Sequence, residues 1–266
     1  MIIIGEKINS TLKAVRPAIE KYDAAAIQSL AKKQADAGAA FIDVNAGMFH
    51  GTEPERVAWL VETVQAVTDK PFSIDSPSAE AVAAALKVNR NGQPLINSIT
   101  DEKARFDAIL PLALEYKAKL IALCMDDTGM PETADGRFAI AERLIAKLTG
   151  AGVPLSDIYI DPLVRPVSTG PRYGVAAIET IRRVKTEYPD AHIACGLSNV
   201  SFGLPARKLV NQAFLVAAMA AGMDGAILDP LDTKLMSLIW AAEALLGIDE
   251  YCLEYLDKFR EGLIEV

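Results

Sequence analysis

Carboxylates and amides recur in this chain at one kind of place, directly after a short apolar run. "IGEKIN" puts Glu6 and Asn9 behind the first run, and "DVNAG" puts Asp43 and Asn45 behind the second. "SIDSPS" carries Asp75, "INSIT" carries Asn97, and "CMDD" carries Met125, Asp126 and Asp127. "YIDPLV" carries Asp161, "GLSNVSFGLP" carries Gly196, Ser198 and Asn199, and "ILDP" carries Asp229. Asp, Asn and Ser also cap helices and open turns, so each alone has a structural reading. Asp43, Asp75 and Asp161 fit that reading poorly, because they stand several residues ahead of the next helical pattern. A carboxylate that leaves an apolar strand without capping a helix has to find N–H partners.

The elements that position these residues alternate from end to end. Strands are predicted at Met1–Ile8, Ala40–Val44, Phe72–Ile74, Leu95–Ile96, Lys119–Met125, Ile158–Ile160, His192–Cys195 and Gly225–Leu228. They are short and rich in Ile, Val, Leu and Phe, as buried parallel strands are. Amphipathic helices are predicted at Asp23–Ala37, Pro54–Thr68, Ser78–Val88, Asp101–Tyr116, Gly136–Leu148, Val175–Tyr188, Pro205–Ala221 and Thr233–Leu246. A last helix at Asp249–Leu263 carries an apolar stripe through Leu253, Leu256, Phe259 and Leu263. Gly38, Gly222 and Gly247 stand where helices stop. Eight strand–helix repeats without a composition break predict a single-domain α/β fold over residues 1–266, a (β/α)8 TIM barrel with an extra C-terminal helix at about 249–263. A doubly wound sheet would want a glycine-rich first turn, and "GEKINS" is not one. In a barrel the strand ends form one mouth, so the polar residues above converge there.

Composition narrows the ligand. Of 266 residues, 51% are hydrophobic and 23% charged, and the formal net charge is −8. That sign disfavours nucleic acid and anionic membranes. No apolar run is long enough to span a bilayer, and "MIIIGEKINS" is not expected to act as a signal peptide. Cys124, Cys195 and Cys252 form no paired spacing, which suits a reducing cytoplasm. The two histidines, His50 and His192, are too few and badly placed for a zinc site or a Ser-His-Asp arrangement, and no metal is expected to be bound by this chain. What remains is a mouth of carboxylates and amides with little fixed positive charge. It suits a flat, neutral ligand with several N–H donors, such as a pterin, whose 2-amino group and N3–H can meet one carboxylate as a bidentate pair.

With "IGEKIN", "DVNAG", "IDS", "INS", "YIDPL" and "GLSNVSFGLP" followed by Arg207, the chain resembles the pterin-binding methyltransferases over essentially its whole length. These enzymes move a methyl group between tetrahydrofolate and a corrinoid protein, and the folate domain of cobalamin-dependent methionine synthase is similar. The resemblance implies that methyltetrahydrofolate or tetrahydrofolate is the substrate and that cobalamin is carried by a partner protein. It implies that Asp75, Asn97 and Asp161 grip the pterin edge and that Asn199 sits near N5, the atom that carries the methyl group. Gly196 and Ser198 would shape the pocket wall. Glu6, Asn9, Asp43 and Asn45 would line the floor, Met125 would add to the pocket, and Arg207 would face the folate tail. Phe202 stands where some members have Gln, which replaces a polar contact by an aromatic one. The resemblance also suggests a homodimer.

A methyl group on a tertiary amine leaves only if N5 is stabilised by a proton. Asn199 does not titrate, so its expected role is to accept from protonated N5 through its carbonyl oxygen, with the proton arriving through water held by the carboxylates. Two alternatives stand beside this reading. A dihydropteroate-synthase-like enzyme would form a C–N bond and expel pyrophosphate, and would want cations at the mouth. A non-catalytic pterin-binding module would use the same residues without turnover.

Overall fold

The structure is a computed structural model that describes residues 1–265; Val266, the last residue of the expected domain, lies outside the described residues. Eight parallel strands close into one barrel in sequence order: β1 (Ile2–Asn9), β2 (Phe41–Asn45), β3 (Phe72–Asp75), β4 (Leu95–Thr100), β5 (Lys119–Leu123), β6 (Ile158–Asp161), β7 (His192–Gly196) and β8 (Gly225–Leu228). The predicted TIM barrel is therefore observed. Between and after the strands run α1 (Arg16–Glu20), α2 (Ala24–Asp36), α3 (Glu53–Gln65), α4 (Ala79–Val88), α5 (Lys103–Glu115), α6 (Ala134–Gly150), α7 (Tyr173–Glu187), α8 (Arg207–Ala220), α9 (Thr233–Leu245) and α10 (Leu253–Arg260).

Strand alternation sorts the side chains into two cores. Outward residues such as Ile42, Val44, Ile74, Ile96, Leu120, Ile160 and Ile193 join Ile27, Leu60, Leu144 and Ile181 of the helices in the main apolar layer. Inward residues Ile4, Phe41, Leu95, Ile121, Tyr159 and Ala194 pack on one another and plug the lower half of the barrel. Two residues further along each strand the same inward direction carries Glu6, Asp43, Asn97 and Asp161. The polar mouth thus stands directly on an apolar stopper. His192 lies below it at the start of β7, stacked on Tyr159 at 4.6 Å and bonded to Asp224 at 3.0 Å.

Helix ends follow local chemistry. Asp23, Ser78, Thr133 and Asp232 accept hydrogen bonds from backbone N–H groups in the first turns of α2, α4, α6 and α9. Gly38 (φ 95°) and Gly222 (φ 110°) stop their helices in the left-handed conformation expected of them.

Several boundaries differ from expectation. Strand β5 ends at Leu123, not Met125, because the Met125 N–H turns back to the Leu123 carbonyl at 2.7 Å. Asp101 does not belong to α5. It is buried and accepts from Arg143 Nε (2.8 Å) and Lys147 Nζ (2.5 Å). The last helix is broken, since Tyr251 and Cys252 both have φ of 56°, which divides a 3-10 turn from α10. Its apolar stripe, with Leu253, Leu256, Phe259 and Leu263, is exposed.

Candidate active site

The mouth begins with an irregularity in β1. Gly5 pairs with Ile42 and Ile8 with Val44, so two residues of β1, Glu6 and Lys7, face one of β2. Such a bulge lets neighbouring residues serve the same side of a strand. Glu6 enters the mouth, and Lys7 Nζ reaches Asp229 Oδ2 at 2.8 Å. Burial, reinforced by the charge of Asp229, raises the Glu6 carboxyl to about 7.

Asp43 lies deepest, with 1% of its surface exposed. Ser73 Oγ donates to it at 2.6 Å, and the Asn97 side chain lies near enough to favour its charged form. Burial, with the Asp75 charge second, holds Asp43 well above the usual carboxylate range. Beside it Asn45 Nδ2 donates to Asp75 Oδ2 at 2.9 Å. The Asn45 amide cannot turn over, because its Oδ1 already accepts from Ser10 Oγ (2.8 Å) and the Gly47 N–H (3.0 Å). Burial raises Asp75 to about 6 against that opposing hydrogen bond. Across the mouth Asp161 accepts the Leu163 N–H at 2.7 Å, and burial lifts its carboxyl to about 7. Three carboxyls therefore sit near neutrality, ready either to donate a proton or to accept from a ligand's N–H groups.

After β7 the chain forms a single 3-10 turn, Leu197–Ser201. The turn leaves Ser198 partly exposed and Asn199 exposed. Gly196 leaves room for the Asn199 side chain, since a Cβ on it would lie 3.0 Å from Asn199 Nδ2. Arg207 Nη2 donates to the Ser198 carbonyl at 2.8 Å and Nε to Ser201 Oγ at 3.0 Å, so these two nitrogens brace the turn. Phe202 projects from the rim with 65% of its surface exposed, 5.8 Å from the Arg207 guanidinium.

Asn45 and Asp75 are hydrogen-bonded, Asn97 pairs with Asp75 across β3 and β4, the charge of Glu6 is felt at Asp43, and Asp161 lies on the same inward face. Other candidates sit differently. Asn9 Oδ1 is taken by Thr11, from its N–H at 2.9 Å and its hydroxyl at 2.7 Å, which fixes the turn after β1. Met125 is partly buried beyond the end of β5. Asp126 turns away to Arg143 at 2.6 Å, and Asp127 accepts the Lys103 N–H at 3.2 Å. His50 is exposed on its loop.

The expectation of little positive charge is corrected. Lys7 enters through the bulge, and Arg105 of α5 comes close enough to Asp75 to oppose its rise. Neither follows from strand periodicity, which would send Lys7 outward and says nothing of a lone helix arginine. Ser73 was legible, standing two residues before Asp75 on the same face. Among the described residues no group of three His, Cys, Asp or Glu side chains is arranged to hold a metal ion. A cleft of about 550 Å³ lined by Glu132, Thr133, Thr169, Arg172 and Tyr173 lies between α6 and α7 and contains none of these residues.

Residues 5–229 match the model of the "Pterin binding enzyme" family. A methylcorrinoid:tetrahydrofolate methyltransferase from Eubacterium limosum is 39% identical, over 99% of this chain and 98% of that protein. The methionine synthase of Mycobacterium tuberculosis is 33% identical over 85% of this chain, which spans 20% of that longer protein. Among solved structures, dihydropteroate synthase from Yersinia pestis superimposes with a TM-score of 0.64 at 15% identity, covering 94% of this chain and 93% of that one. At that identity the likeness is one of fold.

Proposed function

The chain belongs to the pterin-binding enzyme family, and from that premise we propose that it transfers a methyl group between N5 of tetrahydrofolate and the cobalt of a corrinoid held by a partner protein. The observation that carries this reading is the junction of two features. A buried set of near-neutral carboxyls and fixed amides lies beside an exposed, uncharged asparagine at the rim. Asp75, Asn97 and Asp161 meet the pterin's N–H and carbonyl edge, and the ligand's donors give these buried carboxylates hydrogen-bond partners. That edge-on grip leaves N5 toward Asn199.

In the demethylating direction the N5–methyl bond breaks, its electron pair stays on N5, and N5 takes up a proton. Asn199 accepts from that N–H through its carbonyl oxygen, while water held by Glu6 and Asp43 relays the proton. The corrinoid cobalt supplies the atom that takes or gives the methyl group. The chain's own part is to hold the ring, orient N5 to the opening and supply polarity there. The same site serves both directions.

The competing C–N bond former would need free cations for departing pyrophosphate. Lys7 and Lys208 are paired with Asp229 (2.8 Å) and Asp232 (2.9 Å), and Arg207 braces its turn, which favours methyl transfer. Two finer features belong to the same proposal. The exposed apolar face of Leu245, Ile248, Tyr251 and Phe259 supports pairing of two copies. Three cysteines without a disulfide support a reducing, cytoplasmic setting.

The test is calorimetric titration with tetrahydrofolate and methyltetrahydrofolate, on the intact protein and on Asp75→Ala, followed by methyl transfer to or from free cobalamin. Micromolar binding lost in the variant, with turnover in the intact protein, is expected. Binding without turnover would leave a binding module, and no folate binding would overturn the reading.

A further inference from the structure

Arg105 is the most heavily engaged side chain near the mouth, yet no part of the mechanism above uses it. From α5 its Nε donates to the Ser98 carbonyl at 2.9 Å, and Nη2 donates to the same oxygen at 2.6 Å. Nη2 also reaches the Ser76 carbonyl at 2.8 Å, and Nη1 the Pro77 carbonyl at 2.6 Å. Ser76 follows Asp75 and Ser98 follows Asn97, so one planar group grips the backbone immediately beyond two of the residues assigned to the pterin edge. The strands already pair these two positions, Asp75 with Asn97, and the guanidinium ties the loop that leaves β3 to the next residue of β4.

We propose that Arg105 is a positioning residue for ligand recognition: it locks the loop after β3 onto Ser98 of β4 so that Asp75 and Asn97 present a single rigid edge, and its charge keeps Asp75 an acceptor. The inference rests on the assignment of Asp75 and Asn97 to the pterin. A flexible lysine cannot reproduce the fork, because an ammonium has no fixed plane and cannot span three carbonyls at these distances. The charges around Asp75 come from three elements. Asp43 on β2 is the buried carboxyl held well above the usual carboxylate range, Glu53 on α3 opposes ionisation of Asp75, and Arg105 on α5 is the positive group facing it, with Glu102 beside Arg105. Asn45 supplies a neutral donor. Without Arg105 burial and Glu53 oppose ionisation against the Asn45 hydrogen bond alone, so the Asp75 carboxyl, already at about 6, moves further up. A protonated Asp75 loses one acceptor site for the pterin N–H groups. Binding then fails at a higher pH than in the intact protein.

The test compares intact protein, Arg105→Lys and Arg105→Gln by methyltetrahydrofolate titration across pH, by carboxyl-carbon NMR titration of Asp75 in the free protein, and by thermal unfolding. In Arg105→Gln binding is expected to weaken roughly 10- to 100-fold at neutral pH, with the Asp75 midpoint raised. Arg105→Lys is expected to keep the midpoint near that of the intact protein and still bind more weakly. An Asp75 midpoint unchanged in Arg105→Gln overturns the proposal whatever the melting temperatures do. So does unchanged affinity in both variants. The NMR titration needs no ligand, so a protein that bound no folate would fail the assignment of function without obscuring the role of Arg105.

Discussion

Replacing Asp161 by asparagine is expected to stabilise the fold above neutral pH while removing an anchor of the ligand. Asp161 is 8% exposed, and burial raises its carboxyl from the ordinary 3.8 to about 7. Between those values the folded protein keeps a proton that the unfolded chain has released, so stability falls as pH rises through this window. At about 1.4 kcal/mol per tenfold change in proton affinity, the loss amounts to about 4 kcal/mol by pH 8. Near pH 4.5 the same linkage gives about 1 kcal/mol. Asparagine never ionises, and its side-chain oxygen can still accept the Leu163 N–H that now bonds Asp161 Oδ1 at 2.7 Å. Urea denaturation of both proteins at pH 8 and pH 4.5 measures the difference directly. The variant is expected to gain stability at pH 8 and to approach the parent at pH 4.5. A variant less stable at pH 8, or a difference of equal size at both pH values, would refute the idea that a buried, ionising Asp161 burdens the fold.

Three further outcomes follow from particular contacts. Gly196→Ala presses a methyl group onto Asn199 Nδ2, 3.0 Å away, so turnover is expected to fall roughly 10- to 100-fold with folate affinity retained; equal losses of both would show that the turn itself collapses. Gly5→Ala meets Gln34 Oε1 at 2.6 Å, the same oxygen that accepts the Lys7 N–H at 3.0 Å. A loss of about 1–3 kcal/mol in denaturation is expected, and an unchanged midpoint would mean that Gln34 simply steps aside. Phe202→Ala removes an exposed rim side chain. It is expected to leave stability within about 0.5 kcal/mol and folate binding intact while raising KM for the corrinoid protein; normal kinetics with that protein would remove Phe202 from the docking rim.

Much of this site could be read in advance because two periodicities point the same way. Asp43, Asp75 and Asp161 end apolar strands too early to cap the following helices, and inward alternation then delivers them to one opening. The residues that escaped are those that break a period or have none. Lys7 reaches the mouth only because β1 carries an extra residue opposite β2. Arg105 acts on backbone carbonyls of the loop after β3 and of β4, contacts that leave no trace in local sequence. The break ahead of α10 depends on left-handed conformations at Tyr251 and Cys252, residue types that give no warning of it. The short α1 was missed because its five residues carry too little apolar repeat, with Ile19 alone buried.

The apolar plug formed by Ile4, Phe41, Leu95, Ile121, Tyr159 and Ala194 has a kinetic consequence. A barrel closed below has one doorway, so the folate and the partner's corrinoid compete for passage though they occupy different places. If the chain acts as proposed, the folate is expected to load before the partner covers the opening and to leave only after the partner departs. On the proposed function, a compulsory order of binding is therefore expected, and steady-state kinetics with both substrates varied would check it. An excess of partner protein is expected to slow turnover by capping the empty site, as a queue stalls when the second customer stands in front of the first.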